Sequence, residues 1–397
     1  MASNNPQNWP AVGSVEVAWV RDENNYSSRR QALKHRGPYK AALVPTISNL
    51  EVRVDNAIVG LAEDAAIDLA RFDVEVGLMV APFAAMLLRS EAASSSQIEN
   101  LTASAGSILK AELGLGETPN AALIVSNQLA MEAAISASQD FDLPSLLKMQ
   151  RTLLAKADPE HAGKLRQEPV WIGGTAFGPH GADYVGPRWE DVPILMDDLI
   201  AFCQRTDLPA LVQVAIAHAQ LETIHPFTDG NGRTGRALVQ ALLHRLGVTK
   251  SVAVPVSAGL LRDTDRYFAA LNSYRRGEIE PIITVFADAA HAAIWNGRML
   301  ASEIQEARMS WQSLMSARSD SGSAMLLDYL LEQPLITSKR AIEFLGTTPA
   351  NSQNAIDRLV EAGILTQLGT GKRNRIWQAV DVVSALDRFA ERSRRKE

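Results

Sequence analysis

Cysteine is almost missing: Cys203 is the one thiol in 397 residues. A lone thiol excludes an internal disulfide framework and suits a reducing compartment, so the expected location is the cytoplasm. It lies beside the apolar stretch 194–202 and reads as core filling. No apolar run approaches the roughly 18 residues that span a bilayer, so no membrane segment is expected. The first residues, Met1-Ala2-Ser3-Asn4-Asn5-Pro6, lack a basic region followed by an apolar core and do not read as a secretory signal. There is no Cys/His cluster and no H-E-x-x-H pattern, which argues against structural zinc. Positive charge is also scarce. The chain carries a net −6, and residues 324–397 hold 11 Lys and Arg against 9 Asp and Glu, so residues 1–323 are the acidic part. Such a body is not an electrostatic nucleic-acid binder, and the tail is at best a weak one.

What remains is ordinary for a globular chain, 46% hydrophobic and 21% charged, and long enough for two or three domains. One stretch departs from the ordinary: His225-Pro226-Phe227-Thr228-Asp229-Gly230-Asn231-Gly232-Arg233-Thr234-Gly235-Arg236. Apolar residues spaced as one helix face precede it (Leu211, Val214, Ala215, Leu221) and follow it (Leu238, Ala241, Leu242, Leu246). Gly247 closes the second run. The stretch is therefore a glycine-rich connection whose end opens a helix. A helix start offers unpaired N–H groups and a positive dipole end, which suits an anion. Gly230 and Gly232 allow close backbone approach, and Arg233 and Arg236, three apart, have fork geometry for phosphate oxygens. Asp229 is out of place among cations unless a divalent ion such as Mg²⁺ bridges it to phosphates. His225 titrates near neutrality and is placed to take a proton from a hydroxyl. The pattern is not a P-loop, because no Lys follows the glycines.

These residues resemble the Fic motif, H-P-F-x-[D/E]-G-N-G-R-x-x-R, at every specified position. A second match lies upstream: Ser95-x-x-x-Glu99-Asn100 is similar to the Fic inhibitory motif [S/T]-x-x-x-E-[G/N], N-terminal to the core as in the class II arrangement. The bland reading of that serine-rich segment is a solvated helix end. The resemblance implies instead that Glu99 pairs with Arg236, where a nucleotide γ-phosphate would sit.

Along the rest of the chain, residues up to about 39 lack periodicity and read as an irregular arm. Helical patterning starts near 48–61, and 64–79 reads as a second helix. A further helix is expected from 81 toward 113, with others over 120–137, 143–156, 193–202 and 208–224. His218, on an apolar face, reads as a satisfied core histidine. Residues 163–187 hold six glycines around β-forming Val170-Trp171-Ile172 and Tyr184-Val185 and read as a hairpin. The resemblance makes it the flap that docks a target segment by strand addition. Residues 260–272 form another helix, where relatives often place a Tyr and an Asn at the adenine, so Tyr267 and Asn272 are candidates or mere packing residues. Residues 281–316 complete the bundle in one or two helices. From 324, helix, helix-turn-helix and a hairpin with a basic tip resemble a winged helix. There Asn351, Ser352, Gln353, Asn354, Arg358, Lys372 and Arg373 would meet DNA.

The expected fold is mainly α: a Fic-type helical bundle with a β-hairpin flap, followed by a winged-helix domain. Its expected parts are an N-terminal region with the inhibitory helix (1–110), a core (111–316) and the winged helix (324–390). The resemblance implies a protein adenylyltransferase that moves AMP from ATP to a Ser, Thr or Tyr hydroxyl, on another protein or on the chain itself. In that scheme His225 is the base, Asp229 holds Mg²⁺, Gly230, Asn231 and Gly232 face the α-phosphate, Arg233 and Arg236 bind the outer phosphates, and Ser95, Glu99 and Asn100 regulate. Removal of AMP at the same site, another nucleotidyl, phosphoryl or phosphocholine transfer, a DNA-binding regulator that senses nucleotide, and a silent scaffold are the rivals. A homodimer and a DNA contact are left open.

Overall fold

A computed structural model describes residues 9–19, 34–77, 82–116, 118–315, 322–369 and 375–394. It is mainly α, with 15 α-helices and three small sheets among the described residues. The chain forms two compact units, each discontinuous in sequence.

One unit holds residues 1–66, 129–248 and 264–287. Its axis is the Ala210–Ile224 helix, buried on every side from Leu211 to Ile224. A helix with no solvent-facing side belongs in the middle of a bundle. Gln213 donates to the carbonyls of Phe202, Cys203 and Arg205 at 2.9–3.1 Å. Gln220 donates to Pro45 and accepts from Tyr274. The Val192–Cys203 and Asn231–Arg245 helices flank it. Leu143–Leu154 packs on the latter, its start capped by Asp142, which accepts the Ser145 N–H at 2.8 Å. Cys203 is in this core, where burial pushes its thiol up to about 12 and leaves it inert.

Two expectations fail here. The irregular arm contains a strand, Gly13–Val17, paired antiparallel with Tyr39–Leu43 in a register from Gly13↔Leu43 to Val17↔Tyr39. Its partner is more than twenty residues away, so no tight-turn signal marks the pair; the rest of the arm lies outside the described residues. The helix expected near 48 begins only at Asn56 and runs unbroken to Gly77. The Asp198 carboxylate takes the N–H groups of Ile47 and Ser48, and the Leu50 N–H bonds Ile47 O at 3.1 Å, so that segment is a tight turn. Asp55 then caps the helix through the Ala57 N–H at 2.7 Å.

The second unit holds residues 67–128, 249–263 and 288–397. Its Pro82–Ile98 helix is largely buried, Ser94, Ser95 and Ser96 included, so the serine run is not a solvated end. Buried Glu91 on this helix accepts both the N–H and the hydroxyl of Ser257. The chain then turns into a separate helix, Ala105–Glu112, capped by Ser104.

The C-terminal elements are Gly322–Glu332, strand Leu335–Thr337, helices Ser338–Leu345 and Pro349–Glu361, and strands Leu365–Leu368 and Ile376–Ala379. Strand 376–379 lies between the other two, both antiparallel to it. The Pro349–Glu361 helix buries Ser352, Ala355, Ile356 and Leu359, a clean i, i+3, i+4, i+7 stripe, whereas Val360 is exposed. A further helix, Val380–Arg392, follows the last strand without a turn or side-chain cap and buries Val382, Ala385, Leu386 and Phe389, a helical stripe in the sequence that was not among the expectations. The single helix expected over 260–272 is two, Val256–Leu261 and Thr264–Arg275, broken at Arg262-Asp263.

Candidate active site

The site begins as a problem of helix termination. The last carbonyls of the Ala210–Ile224 helix have no ladder partners, and His225, its C-cap, turns left-handed at φ 50°, ψ 60°. That conformation is costly for a residue with a β-carbon. Donors from elsewhere in the unit hold it. Arg275 donates to the Glu222 carbonyl at 3.3 Å and Tyr184 OH to that of Thr223. The Arg166 guanidinium donates to Ile224 at 3.4 Å and to His225 at 2.8 Å. The Arg166 N–H donates to Pro226 at 3.0 Å. Five successive carbonyls, Glu222 to Pro226, are thus each met from outside the helix.

Arg166 does more than one part of this. It is 3% exposed, and its remaining N–H groups reach the carbonyls of Glu168 and Pro187 at 2.9 and 2.7 Å. It therefore ties both ends of the 163–187 segment to the turn at His225. Burial lowers its own pKa to about 10, still charged at neutrality. Arg275 stacks on Tyr184, its guanidinium carbon 3.8 Å from the ring centroid.

The imidazole of His225 lies among these cations. Nδ1 is 3.4 Å from the Glu222 carbonyl, which can only accept, so Nδ1 carries the proton and Nε2 is the basic nitrogen. Burial pushes its pKa down to about 4, with Arg275 and Arg166 adding repulsion. The side chain keeps 19% of its surface exposed, so it is shielded rather than sealed. At neutral pH it is uncharged.

Beyond it, Asn231 clamps the loop. Its Oδ1 accepts the Phe227 N–H at 2.9 Å and its Nδ2 donates to the Phe227 carbonyl at 2.8 Å. Asp229 is 61% exposed, accepts the Gly230 N–H at 2.6 Å and lies 3.3 Å from Arg233. Gly230 must be glycine twice over: its φ is 79°, and a β-carbon there would sit 2.8 Å from buried Leu153. From Gly230 the Asn231–Arg245 helix starts, so the N–H groups of Asn231, Gly232 and Arg233 precede the i−4 ladder and form a donor nest. Arg233 and Arg236 follow, both buried. The sequence-derived set from His225 to Arg236 is one continuous loop and helix start.

Tyr267 and Asn272 separate. Tyr267 is buried, its hydroxyl 2.7 Å from Nε2 of His218. Asn272 is exposed and accepts from Arg275 at 3.0 Å. His218 is fully buried, and burial drives its pKa down to about 3. The hairpin is present but short, Trp171↔Val185 and Ile172↔Tyr184. Trp171 also meets Trp19 edge-on at 6.0 Å.

In the other unit, Ser95 is buried in the last turn of its helix, and Glu99, half-buried, follows the helix end. Asn100 turns left-handed at φ 61°. Leu101 N–H bonds Ser96 O at 3.1 Å and Asn100 N–H bonds Gln97 O at 2.9 Å, a Schellman closure with Asn where Gly is usual. In the C-terminal elements Asn351, Asn354 and Arg358 are exposed, but Ser352 is buried and Gln353 is engaged by Asp357 and Arg375. Lys372 and Arg373 lie outside the described residues.

The residues that sequence reasoning missed are Arg166, Tyr184, Arg275 and Glu222. Only the i, i+3 spacing of Glu222 and His225 on one helix hinted at any of them.

A family model described as the Fic/DOC family matches residues 140–243, the span that contains this loop. That segment of the chain is similar to the Fic/DOC family. Protein adenylyltransferase fic-1 of Caenorhabditis elegans is 31% identical over 155 residues, 39% of this chain and 28% of that protein. Protein adenylyltransferase Fic of Drosophila willistoni is 30% identical over 171 residues, 42% of this chain and 31% of that one. The chain thus spans about three tenths of these curated relatives. A crystal structure of a Fic family protein from Desulfovibrio desulfuricans G20 matches with a TM-score of 0.53 at 20% identity, covering 83% of this chain and 97% of that one. The Fic fold is therefore shared well beyond the matched segment. No helix of the described residues is long and apolar enough to cross a membrane.

Proposed function

We propose that the chain transfers AMP from ATP to a hydroxyl of a protein, on another chain or on itself. The observation that carries this reading is a neutral, tautomer-fixed His225 held directly before an anion-binding helix start. Nε2 takes the proton of the incoming hydroxyl as its oxygen bonds the α-phosphorus. The bond from that phosphorus to the bridging oxygen breaks, and pyrophosphate leaves. The N–H groups of the Gly230–Arg233 turn receive charge on the α-phosphate. Because the Asn231 side chain is committed to Phe227, its part there is played by its main chain. Arg233 and Arg236 bind the outer phosphates. Tyr267 and Asn272 are assigned no direct part.

Mg²⁺ fits only as a companion of the nucleotide. No group of three or more His, Cys, Asp or Glu able to hold a metal occurs among the described residues. One exposed carboxylate, Asp229, with phosphate oxygens is nonetheless how Mg²⁺ is usually held. When bound it would neutralise phosphate charge.

The inhibitory reading of Ser95, Glu99 and Asn100 belongs to the same proposal: Glu99 competes with the nucleotide for Arg236. A winged-helix module over 324–390 is likewise proposed, with a protein rather than DNA as its partner, since buried Ser352 and engaged Gln353 leave its helix a poor reader of bases. The test is transfer of radiolabelled AMP from ATP into a lysate. Wild type or Glu99→Gly should label protein and His225→Ala should not; equal labelling by His225→Ala removes the assignment.

A further inference from the structure

The resting site opposes the cation that a base must become. Burial and the guanidinium groups of Arg275 and Arg166 push the His225 pKa down to about 4, yet a general base ends its step as an imidazolium. A negative charge close by would offset that cost. Among the described residues one carboxylate lies within 4 Å of a His225 ring nitrogen, that of Glu222, with Oε2 3.9 Å from Nδ1. Asp229 is engaged elsewhere: it accepts the Gly230 N–H and lies 3.3 Å from Arg233.

The helix sets this pairing. Glu222 precedes His225 by three residues, and His218 precedes Glu222 by four, so all three share one face. The carboxylate lies between two imidazoles, its Oε1 3.9 Å from Nε2 of His218. His218 does not compete for the charge. Its Nε2 is 2.7 Å from the Tyr267 hydroxyl, and burial drives its pKa down to about 3, so it stays neutral. The Glu222 side chain is 8% exposed, and its charge works against the fall that burial imposes on the Arg275 pKa. Gly235 makes room for the group: a β-carbon there would lie 3.3 Å from Glu222 Oε1 and 3.1 Å from the His218 ring. At 3.9 Å the contact with Nδ1 is no hydrogen bond. It is a contact of charge, in a place where water screens little.

We propose that Glu222 is a positioning residue for His225: its carboxylate favours the tautomer with the proton on Nδ1 and offsets the imidazolium formed when Nε2 takes the hydroxyl proton. The hydroxyl oxygen bonds the α-phosphorus, its proton passes to Nε2, Nδ1 keeps its own, and the carboxylate gains none. The catalytic consequence rests on the AMP transfer proposed above; the pairing of Glu222 with His225 does not.

Kinetics of AMP transfer and NMR of the full chain with isotope-labelled histidine test it, in wild type, Glu222→Gln and Glu222→Asp, with a thermal melt of each. The His225→Ala spectrum identifies the His225 signals. Glu222→Gln keeps the size and removes the charge, so kcat should fall about 10–100-fold, the range of one contact to a charged group, with KM for ATP unchanged. Glu222→Asp keeps the charge on a shorter stem and should lose less. A packing role predicts the reverse order, and that order, or an unchanged kcat in Glu222→Gln, overturns the proposal. At neutral pH the wild-type His225 signals should show the proton on Nδ1, and Glu222→Gln should move that proton upfield. A proton on Nε2 in wild type, or His225 signals that Glu222→Gln leaves unmoved, overturns the pairing. The spectra need no reaction, so a chain that transfers no AMP would refute the proposed function and leave the pairing to be read by itself.

Discussion

His225 and Asn100 are the two non-glycine residues with positive φ among the described residues. Each ends a helix, and each sits in one of the two Fic-like motifs. They are held by opposite means. At Asn100 the closure is local: two backbone bonds within six residues, and a residue type that tolerates the left-handed region. At His225 the closure is tertiary: Arg166, Arg275 and Tyr184 arrive from 50 or so residues away in either direction to meet its carbonyls. The turn proposed to regulate is made by the chain around it, whereas the residue proposed as base is fixed by the rest of the unit.

The comparison is broken most severely at His225 itself. His225→Ala should lower AMP transfer by about 10²–10⁴-fold, the usual worth of a positioned base, while thermal stability falls only slightly, since alanine keeps the β-carbon that the left-handed turn opposes. Arg166→Met comes next. It leaves several buried carbonyls unmet, so a lower melting temperature and a kcat fall of about 100-fold are expected from a misplaced imidazole. Arg166→Lys should recover part of both.

The same substitution moves the pH profile. A His whose folded pKa lies below its unfolded value binds fewer protons folded than unfolded between those values. Stability then rises with pH from about 4 to the ordinary histidine range and is flat above it. Activity should likewise be complete by about pH 6 in wild type, with the acid limb near the pKa of about 4. Arg166→Met removes a positive neighbour, and its acid limb should shift upward. An unmoved limb would show that Arg166 acts on the fold alone.

How far the sequence reached can be judged on the same two turns. The His225–Arg236 segment was legible because its residues are consecutive and their spacing is itself the site. Its supports were not: Arg166 lies in the 163–187 segment with nothing around it to mark it, and Arg275 carried no pattern at all. The strand at Gly13–Val17 escaped because its partner is distant, whereas the Val380–Arg392 helix was legible in its stripe of Val382, Ala385, Leu386 and Phe389 and was passed over. Mainly-α content, the bundle around the apolar 210–224 run and the 171–185 hairpin needed only periodicity and glycine spacing.

Smaller effects sharpen the local side. Glu99→Gly should raise AMP transfer about tenfold or more, the range of one charge-assisted contact, measured as initial rate of label incorporation. Asn100→Gly should change stability by no more than about 0.5 kcal/mol, and Asn100→Ala should cost about 1 kcal/mol, because only the latter opposes the left-handed turn. Chemical denaturation of the two variants checks this, and equal midpoints would contradict a local closure.

The central claim is that His225 is the base of an AMP transfer that Glu99 restrains. Intact-protein mass spectrometry of Glu99→Gly incubated with ATP, Mg²⁺ and lysate tests it most directly, beside the Glu99→Gly, His225→Ala double variant. A protein, this one or another, that gains the mass of one AMP with the single variant and not with the double is the predicted result. No such gain with either variant, or an equal gain with both, would contradict it.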